Sequence, residues 1–408
     1  MVKSIDTAAT TDVRDNPTPE FIEEMRRRFP TERETDALLV RKLQRRSGPP
    51  YRHVTLDEMA ASLDAMLRHV IGSEFEVTGL KWLTGGASKI QMAFMLTWTD
   101  SEGGRRQDHL VLRMDPSEPS NSTSRVREVE LIRAFEGIVP VPKVYWLDAN
   151  GDWFPEPAII YSFVPGVTKQ KTQSAGKVIG LGTMFSEEMR QKLAPQFLAN
   201  LAAIHTADID AMSLTSMDRP TVGTTESARW QLNRARRVWE EDRGEDFPLM
   251  DVAVNWLERE LPVLDHLSVV HGDYRSGNFL FDEDSGSITA ILDWERGHLG
   301  DRHRDLAWMT RRAMGHFGAD GKTYYVCGLI PLDEFYERYE KASGLSVDMK
   351  RVTYYRILNC FQSITTTVAT AYRVSKLAKS HQDVLLSRLK AVSPINENEM
   401  AEMLEGAM

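Results

Sequence analysis

The sequence predicts an α+β fold of two lobes, a small antiparallel sheet followed by a larger, mostly helical lobe. Three observations carry this prediction. Short apolar runs separated by polar turns, typical of strands, fill residues 75–114. Apolar residues at helical spacing dominate after residue 184. A group of short β-prone runs between residues 267 and 292 interrupts these helices and contains a dense set of acids and amides.

Composition narrows the class of protein. The 408 residues include 50 Lys and Arg against 59 Asp and Glu, a net charge of −9, and 42% are hydrophobic. This excludes disordered, collagen-like and disulfide-scaffold chains. An acidic chain without a dense basic tract is not expected to bind nucleic acid. The two cysteines, Cys327 and Cys360, lack metal-site spacing and indicate a reducing, cytoplasmic setting.

Targeting signals are not evident in the sequence. The first 16 residues are too charged for an export signal. The longest charge-free stretch, residues 357–372, contains too many polar residues for a membrane span. We therefore expect no membrane partner, and the oligomeric state stays open.

Residues 1–52 are predicted to form an N-terminal extension. Thr18-Pro19 begins a short charged helix that continues to Arg28. The basic run between Arg41 and Arg46 is interpreted as a solvated face that leads into a linker at Pro49-Pro50. A surface strap is the favoured interpretation of the extension, and a disordered tail and a dimer contact remain alternatives.

Residues 53–164 are predicted to form the small lobe. Thr55 and Glu58 form a capping box that begins a helix ending near Ile71. The strands and the second helix that follow are predicted at residues 75–83, 91–98, 109–114, 125–135 (the helix) and 158–163. Residues 165–408 are predicted to form the helical lobe, with the catalytic loop, the metal site and the helices that bind the acceptor.

The β-prone interruption carries the chemistry. It contains His271-Gly272-Asp273, with Asn278 five residues after Asp273 and Asp293 after the next strand. Phosphoryl transfer needs a carboxylate to orient the attacking hydroxyl and oxygen ligands for Mg²⁺. The D-x-x-x-x-N spacing matches a kinase catalytic loop, in which Asp273 accepts the hydroxyl proton, and Asn278 and Asp293 bind the metal.

These motifs resemble the aminoglycoside phosphotransferase and choline kinase family, whose members have a two-lobe, protein-kinase-like fold. The continuation Asp293-Trp294-Glu295-Arg296-Gly297-His298-Leu299-Gly300-Asp301 is most similar to the branch associated with acyl-CoA dehydrogenases. The resemblance extends from about residue 80 to the C-terminal helices. It implies an ATP-dependent phosphotransferase that uses Mg²⁺ and acts on a hydroxyl of a small molecule.

Other residues near the motif have structural alternatives. Arg275 corresponds to a kinase lysine near the transferred phosphoryl group, and a surface salt bridge is its alternative role. We expect His271 to orient the loop, Asp301 to cap a helix and Asp305 to brace the loop. A carboxylate pair for glycoside hydrolysis is disfavoured, because neighbours on an extended segment, Asp293 and Glu295, point to opposite faces.

The small lobe is expected to bind ATP. The loop with Gly85, Gly86 and Ser88 resembles the family's phosphate-covering loop. Arg113 occupies the place of the usual phosphate-binding lysine, and Glu128 is its expected partner.

Lys89 is the nearby lysine that could compensate for the arginine at position 113. The favoured alternative is that Lys89 is a solvated loop residue. Ser162 and Val164 lie in the segment that resembles the hinge between the lobes. Their backbone groups would therefore hydrogen-bond the adenine.

The acceptor is the least determined feature. Glu240, Glu241, Asp242, Glu245 and Asp246 form an acidic cluster that would suit a cationic aminoglycoside, but the arginines before them indicate a solvated face of mixed charge. Those arginines are Arg229, Arg234, Arg236 and Arg237. If this face lined the cleft, it would favour an anionic acceptor such as a hydroxyacyl-CoA or a hydroxy acid. An aminoglycoside or macrolide kinase and a non-catalytic nucleotide-binding scaffold remain the alternatives.

Overall fold

A five-stranded antiparallel sheet and a larger helical region give the chain the predicted two-lobe α+β architecture. The structure is a computed structural model that describes residues 12–83, 89–100, 102–116, 122–171, 183–380 and 383–407. Throughout these ranges, each helix is too short or too polar to cross a membrane.

The elements up to residue 162 build the N-terminal helices and the sheet. They are α1 (Pro19–Arg28), α2 (Arg33–Arg46), α3 (Leu56–Ile71), β1 (Phe75–Trp82), β2 (Ile90–Thr99), β3 (Arg105–Met114), α4 (Arg125–Phe135), β4 (Val144–Asp148) and β5 (Ala158–Ser162). The predicted caps are present, because Thr18 Oγ1 accepts from Phe21 N at 3.2 Å and Thr55 shares its capping box with Glu58. The predicted helices and strands of this region are therefore confirmed to within a few residues.

The sheet has the strand order β1-β2-β3-β5-β4, so β3 is paired on both sides. Apolar residues of β2 and β3 such as Phe94 and Leu112 pack with Met59 and Leu63 of α3 in one core. The sequence analysis did not predict β4. Because β3 lies in the middle of the sheet, it holds Arg113 firmly, opposite Gln91 on β2 and Ile159 on β5.

The remaining elements form the helical lobe, which contains three small β-structures. They are α5 (Glu187–His205), α6 (Glu226–Asp242), α7 (Pro248–Arg259), β6 (Ser268–Val270), β7 (Phe279–Phe281), β8 (Ile288–Ile291), β9 (His298–Gly300), α8 (His303–Met309), β10 (His316–Phe317), β11 (Tyr324–Val326), β12 (Ile330–Pro331), α9 (Leu332–Ser343), α10 (Met349–Ile364), a π-helix (Thr365–Thr370), α11 (Ala371–Lys376), α12 (Asp383–Leu389) and α13 (Ser393–Ala407). The strands β6 and β9 pair, as do β7 and β8. These two short ladders fix the two ends of the predicted catalytic loop.

The N-terminal segment (residues 12–54) contacts both lobes. Arg45 reaches Glu156 in the sheet lobe at 2.5 Å, and Arg46 Nη2 lies 2.7 Å from Asp242 Oδ1 at the end of α6. The prediction of a solvated basic face was therefore wrong for Lys42 and Arg46, whose side chains are buried. Both follow an apolar residue of α2 by three positions, which places them on the buried face of the helix.

The prediction that the acidic residues of α6 lie on a solvated face was also wrong in part. Glu241 and Asp242 are fully buried and accept ion pairs from Lys42 Nζ at 3.1 and 2.9 Å. Arg237 is also buried, with its partners Asp36 and Glu241 at 2.6 and 2.8 Å. Lys42, Arg46 and Asp36 of the N-terminal segment supply most of the charge compensation, and the Arg237–Glu241 pair within α6 supplies the rest.

Replacing Leu43 on α2 by alanine should destabilise the protein. Leu43 is fully buried, so the substitution leaves a cavity and should lower the free energy of unfolding by about 2–5 kcal/mol. Denaturant titration followed by circular dichroism measures the change. The matched control is Val384→Ala, because Val384 is 72% exposed and its substitution should change stability by less than about 0.5 kcal/mol. Equal effects of the two substitutions would contradict the packing of α2.

Candidate active site

The predicted catalytic loop, residues 271–278, lies between β6 and β7 and is held in place by the carboxylate of Asp305. Asp305 accepts from the backbone N–H of His271 at 2.7 Å and from that of Gly272 at 2.8 Å. Gly272 has a φ of 79°, and a Cβ there would lie 2.6 Å from the carbonyl oxygen of Arg296. The predicted bracing contact of Asp305 is therefore confirmed, and a residue larger than glycine would displace the loop.

Asp305 is itself held by a buried chain of polar groups. His205 Nε2 lies 3.2 Å from Asp305 Oδ2, and His205 Nδ1 lies 2.8 Å from the hydroxyl of Tyr339. Burial opposes the charge of Asp305, but these hydrogen bonds and the backbone N–H groups outweigh it and lower the pKa of Asp305. The carboxylate therefore stays ionised and keeps the loop in place.

His271 has both ring nitrogens occupied. Its Nδ1 accepts from the backbone N–H of Asp273 at 3.3 Å, and its Nε2 lies 3.0 Å from the carbonyl oxygen of Leu292. Burial lowers the pKa of His271, so the ring is neutral, with the proton on Nε2 assigned by these partners. The ring thus joins the loop to the end of β8, which agrees with its expected orienting role.

The predicted catalytic and metal-binding residues lie close together. Asn278 Nδ2 donates to the backbone carbonyl of Asp273 at 2.9 Å, which orients the amide and leaves Oδ1 as its metal-binding atom. The backbone N–H of Leu292 donates to the carbonyl of Asn278 at 2.8 Å, so the hairpin of β7 and β8 brings Asn278 beside Asp293. Two oxygen donors from neighbouring strand ends form a set that suits Mg²⁺.

Arg275 pairs with the predicted catalytic carboxylate. Its Nε lies 3.0 Å from Asp273 Oδ1, and its Nη1 donates to the carbonyl of Ser276 at 3.0 Å. Both side chains are largely buried, with 17% of each exposed. The guanidinium is therefore beside the predicted reacting carboxylate, in the interior of the site.

Arg113 joins the sheet lobe to the metal-binding residues. Its Nη1 lies 2.9 Å from Glu128, as the sequence analysis expected, and its Nη2 lies 2.6 Å from Asp293 and 2.7 Å from Glu295. The expectation that Asp293 and Glu295 point to opposite faces was wrong, because residues two positions apart on an extended segment share a face. Asp293 itself has a left-handed backbone, with φ of 61°, just after the strand, and both carboxylates contact the same guanidinium.

Lys89 is buried, so its alternative as a solvated loop residue was wrong. Its Nζ lies 2.5 Å from Asp115, 2.9 Å from Thr123 Oγ1 and 3.3 Å from Glu295. A buried ammonium requires such compensation, because an unpaired charge in the interior is costly. Lys89 thus reaches Glu295, the carboxylate that also contacts Arg113.

We call the group around Glu295 the lobe-boundary ion cluster. It consists of Lys89, Arg113, Asp115, Arg125, Glu128, Asp293 and Glu295. Burial opposes the charge of Glu295, but Lys89, Arg113 and Arg125 outweigh it and lower the pKa of Glu295 to about 2. Three cations face four carboxylates, and burial raises the pKa of one of these carboxylates, Glu128, despite the cations beside it.

The predicted nucleotide contacts are described only in part. Gly85, Gly86 and Ser88 lie outside the described residues. The backbone N–H of Ser162 donates to the carbonyl of Lys143 at 2.8 Å, so Ser162 has only its carbonyl to offer an adenine. Val164 is half-buried, two residues beyond the end of β5. The cofactor-binding roles of these residues stay predictions.

A cleft of about 210 Å³ opens beside Asp273, and we call it the arginine-lined cleft. Its walls include Asp273, Arg275, Glu295, Arg296, Trp308, Arg311, Met314, Gln362, Ser363, Thr366, Thr367 and Asn396. The four arginines that the sequence analysis considered for the acceptor are absent from this lining among the described residues. Arg296 lies three residues after Asp293, and Arg311 lies two residues after the end of α8, so no periodic pattern in the sequence joins them.

The guanidinium groups of Arg296 and Arg311 both lie close to the indole ring of Trp308. The guanidinium carbon of Arg311 lies 3.7 Å from the centre of the Trp308 ring, and that of Arg296 lies 4.5 Å from it. Arg311 donates to neutral oxygens, including Asn359 O at 3.2 Å and Ser363 Oγ at 2.5 Å. Within the described ranges neither guanidinium has a carboxylate within 4.0 Å. Burial consequently lowers the pKa of both groups.

A second acidic group, Asp265, Asp301 and His303, has atoms within 4.8 Å of one another. It is already satisfied, because Asp265 pairs with Arg302 at 2.9 Å and with Arg351. His303 Nδ1 lies 2.6 Å from Asp301, and His303 Nε2 accepts from the backbone N–H of Asp348 at 2.9 Å. The group is an ion-pair network, in which Asp301 also accepts from the N–H of His303 near the start of α8.

A family model for the phosphotransferase enzyme family matches residues 96–354, which include the catalytic loop, Asn278, Asp293 and Arg113. The chain belongs to this family. The predicted enzyme class, an ATP-dependent phosphotransferase acting on an alcohol, and the predicted kinase-like fold are thereby confirmed.

Particular relatives agree with the predicted branch. The chain is 26% identical over 202 residues to acyl-CoA dehydrogenase family member 10 of Mus musculus, covering 49% of this chain and 18% of that protein. It is 25% identical over 174 residues to family member 11 of Gallus gallus, covering 40% of this chain and 22% of that protein. The matches thus span less than a quarter of the length of these two relatives.

Solved structures show the same fold. A proposed aminoglycoside phosphotransferase from Ralstonia eutropha superposes with a TM-score of 0.62 and 22% identity, covering 85% of this chain and 98% of that one. A type I macrolide 2'-phosphotransferase has a TM-score of 0.51 and 20% identity, covering 83% of this chain and 98% of that one. At these identities the superpositions establish the fold and leave the acceptor open.

Replacing Glu295 by glutamine should change how stability depends on pH. The pKa of Glu295 is about 2 in the folded protein, below its ordinary value of 4.5. Its contribution is therefore fully present above about pH 4.5 and is lost as the pH falls towards 2. Wild-type stability should fall in this window by up to about 3 kcal/mol more than that of Glu295→Gln.

Urea titrations from pH 7 to pH 2.5 measure this difference. Glu188→Gln is the matched control, because Glu188 is exposed on α5 and pairs only with Lys192. Parallel pH curves for wild type and Glu295→Gln would contradict the ion pairing of Glu295 across the lobe boundary.

Proposed function

We propose that this protein transfers the γ-phosphoryl group of Mg-ATP to a hydroxyl of a small anionic acceptor, a hydroxy acid or a hydroxyacyl-CoA. The observation that carries the proposal is the arginine-lined cleft beside Asp273, where two guanidinium groups have no carboxylate within 4.0 Å among the residues that the structure describes. An anionic acceptor would supply the missing negative charge. The names of the relatives in the acyl-CoA dehydrogenase family support an acyl-CoA derivative or its acid.

The catalytic loop supplies the groups that act on the acceptor. Asp273 orients the acceptor hydroxyl and takes its proton as the oxygen attacks the γ-phosphorus. Arg275, 3.0 Å from Asp273, is placed to stabilise the charge on the transferred phosphoryl group. Asp305 holds the loop through its two backbone hydrogen bonds and contacts no reactant.

The lobe boundary supplies the groups for the nucleotide. Asn278 and Asp293 would bind Mg²⁺, which would neutralise the negative charge of the phosphates. Arg113, oriented by Glu128, would hold the α- and β-phosphates. Lys89 is held by Asp115, and the preceding residues Gly85, Gly86 and Ser88 would cover the phosphates. The carbonyl of Ser162 and the backbone of Val164 would hydrogen-bond the adenine.

The charge of the cleft also decides between acceptor classes. Aminoglycosides are polycations, and Arg275, Arg296 and Arg311 would repel them from the cleft. The uncharged part of an acceptor can lie against Trp308 and Met314, which also line it. A hydroxyl at one end and a carboxylate or phosphate at the other would match Asp273 and the arginine pair.

Phosphate transfer should occur to an anionic acceptor and should require Asp273. Purified protein with Mg-ATP is incubated with hydroxyacyl-CoAs, free hydroxy acids, aminoglycosides, macrolides and choline, and products are read by mass spectrometry. A product heavier by about 80 Da, the mass of the added HPO₃, is expected only among the anionic acceptors. Asp273→Asn should lower turnover by at least about 10³-fold and leave nucleotide binding unchanged.

The other outcomes separate the rival functions. Transfer to an aminoglycoside or macrolide would overturn the anionic acceptor and favour an antibiotic kinase. Nucleotide binding without transfer to any acceptor would favour a non-catalytic scaffold, in which Arg113 has replaced the lysine of active kinases. Turnover by Asp273→Asn close to that of wild type would contradict the role of Asp273.

Replacing Arg311 by methionine should weaken acceptor binding. Loss of one guanidinium should raise the KM for an anionic acceptor by roughly 10- to 100-fold, with little change in the KM for ATP. Arg311→Lys keeps the charge and should lie between methionine and wild type. Arg312→Met is the matched control, because the neighbouring Arg312 pairs with Glu402 on the surface. An unchanged acceptor KM in Arg311→Met would contradict the proposed anion site.

A further inference from the structure

One wall of the arginine-lined cleft is a π-helix, residues Thr365–Thr370, between α10 and α11. Thr366 and Thr367 line the cleft, and each lies four residues after Gln362 or Ser363 of α10, which also line it. A π-helix is rare and less favourable than an α-helix, and such segments are frequent at functional sites. The geometry of this wall therefore depends on contacts that hold the π-helix in place.

A buried carboxylate provides such a contact. The hydroxyls of Thr365, Thr366 and Thr367 donate to carbonyls of the preceding turn at 2.9–3.1 Å. The hydroxyl of Thr370 instead donates to Asp242 Oδ2, at the end of α6, at 2.7 Å. This bond anchors the C-terminal end of the π-helix to a separate element.

The N-terminal segment holds that carboxylate in position. Lys42 Nζ lies 2.9 Å from Asp242 Oδ1, and Arg46 Nη2 lies 2.7 Å from the same oxygen. All three side chains are almost completely buried. Without the two cations of α2, Asp242 would be an uncompensated charge in the interior, so its position as an acceptor for Thr370 depends on them.

A second connection reaches the residues after the π-helix. Arg373, three residues beyond Thr370, pairs with Asp12 Oδ2 at 2.8 Å and also with Asp15. Its Nη2 donates to the carbonyl of Arg243 at 2.8 Å, which joins it to the end of α6 as well. The N-terminal segment therefore contacts the support of the π-helix at two places.

We propose that the N-terminal segment is part of the acceptor-binding machinery, because it fixes the π-helical wall of the cleft through Asp242. Arg46, Asp242 and Thr370 are positioning residues in this arrangement, and none of them contacts the predicted reacting groups. The proposal rests on the proposed transferase function, since the wall has a role in substrate binding only if the cleft holds the acceptor. It gives the N-terminal segment a function that a surface strap would not have.

The experiment compares Thr370→Val, which removes the hydroxyl, with Thr370→Ser, which keeps it. Thr353→Val controls for the same substitution at a threonine of α10 whose hydroxyl donates to Met349 O inside its own helix. Initial rates are measured with lactate and 3-hydroxybutyryl-CoA as probes, and MgADP binding is measured by calorimetry. Thr370→Val should raise the KM for the accepted probe by roughly tenfold, with unchanged MgADP affinity. Thr370→Ser and Thr353→Val should resemble wild type.

A second pair of variants tests the other end of the connection. Arg46→Met should reproduce the increase in acceptor KM, and Arg46→Lys should restore part of the wild-type value. The full-length protein is used throughout, and melting temperatures show whether each variant is folded. The proposal would be overturned if Thr370→Val and Arg46→Met had the same KM for the acceptor as the wild-type protein. The N-terminal segment would then be only a structural support.

Hydrogen exchange separates this proposal from the transferase function on which it rests. Amides of residues 361–376 should exchange faster in Thr370→Val and Arg46→Met than in Thr370→Ser, a comparison that needs no acceptor. If the wild-type protein phosphorylates neither probe, the proposed anionic acceptor is contradicted for these two compounds. Hydrogen exchange still measures whether the N-terminal segment supports the π-helical wall. Exchange of these amides at the wild-type rate in both variants would overturn the support of the π-helix by the N-terminal segment.

Discussion

The contacts of one carboxylate, Glu295, connect the two lobes of this protein. Glu295 belongs to the helical lobe, two residues after the predicted metal-binding residue Asp293, and Lys89, Arg113 and Arg125 approach it from the sheet lobe. All three cations are buried, so each needs a carboxylate nearby, and Glu295 serves all of them. The position of the sheet relative to Asp293 follows from this requirement.

Buried charge is distributed in two different ways on the two sides of the catalytic loop. In the lobe-boundary ion cluster, carboxylates compensate every cation. In the arginine-lined cleft, Arg296 and Arg311 lie against the indole of Trp308, Arg311 also donates to neutral oxygens, and among the described residues neither has a carboxylate within 4.0 Å. An anionic ligand could satisfy this positive charge. Under the proposed function, the asymmetry would separate a nucleotide and metal side from an acceptor side.

Sequence patterns failed where charged residues are buried. Lys42, Arg46 and Asp242 had the mixed charge of a solvated helix face, yet they are buried because α2 and α6 compensate each other across 196 positions of sequence. The pattern of charges along a helix indicates which of its faces is solvated. Whether a buried charge is compensated depends on which distant element packs against that helix. Lys89 was misinterpreted for the same reason. The left-handed backbone of Asp293 was missed because a non-glycine residue gives no signal for it.

The sequence by itself determined the two-lobe fold, the predicted helix caps, most strands of the sheet and the spacing of Asp273, Asn278 and Asp293. These features depend on residues close together in the chain, where hydrophobic periodicity, capping and motif spacing act directly. Only the tertiary structure decided that Glu295 faces Arg113, that Arg296 and Arg311 share Trp308, and that Arg46 of the N-terminal segment pairs with Asp242. Each of these contacts joins residues from separate elements, and their pairing follows from packing and charge compensation that local patterns do not contain.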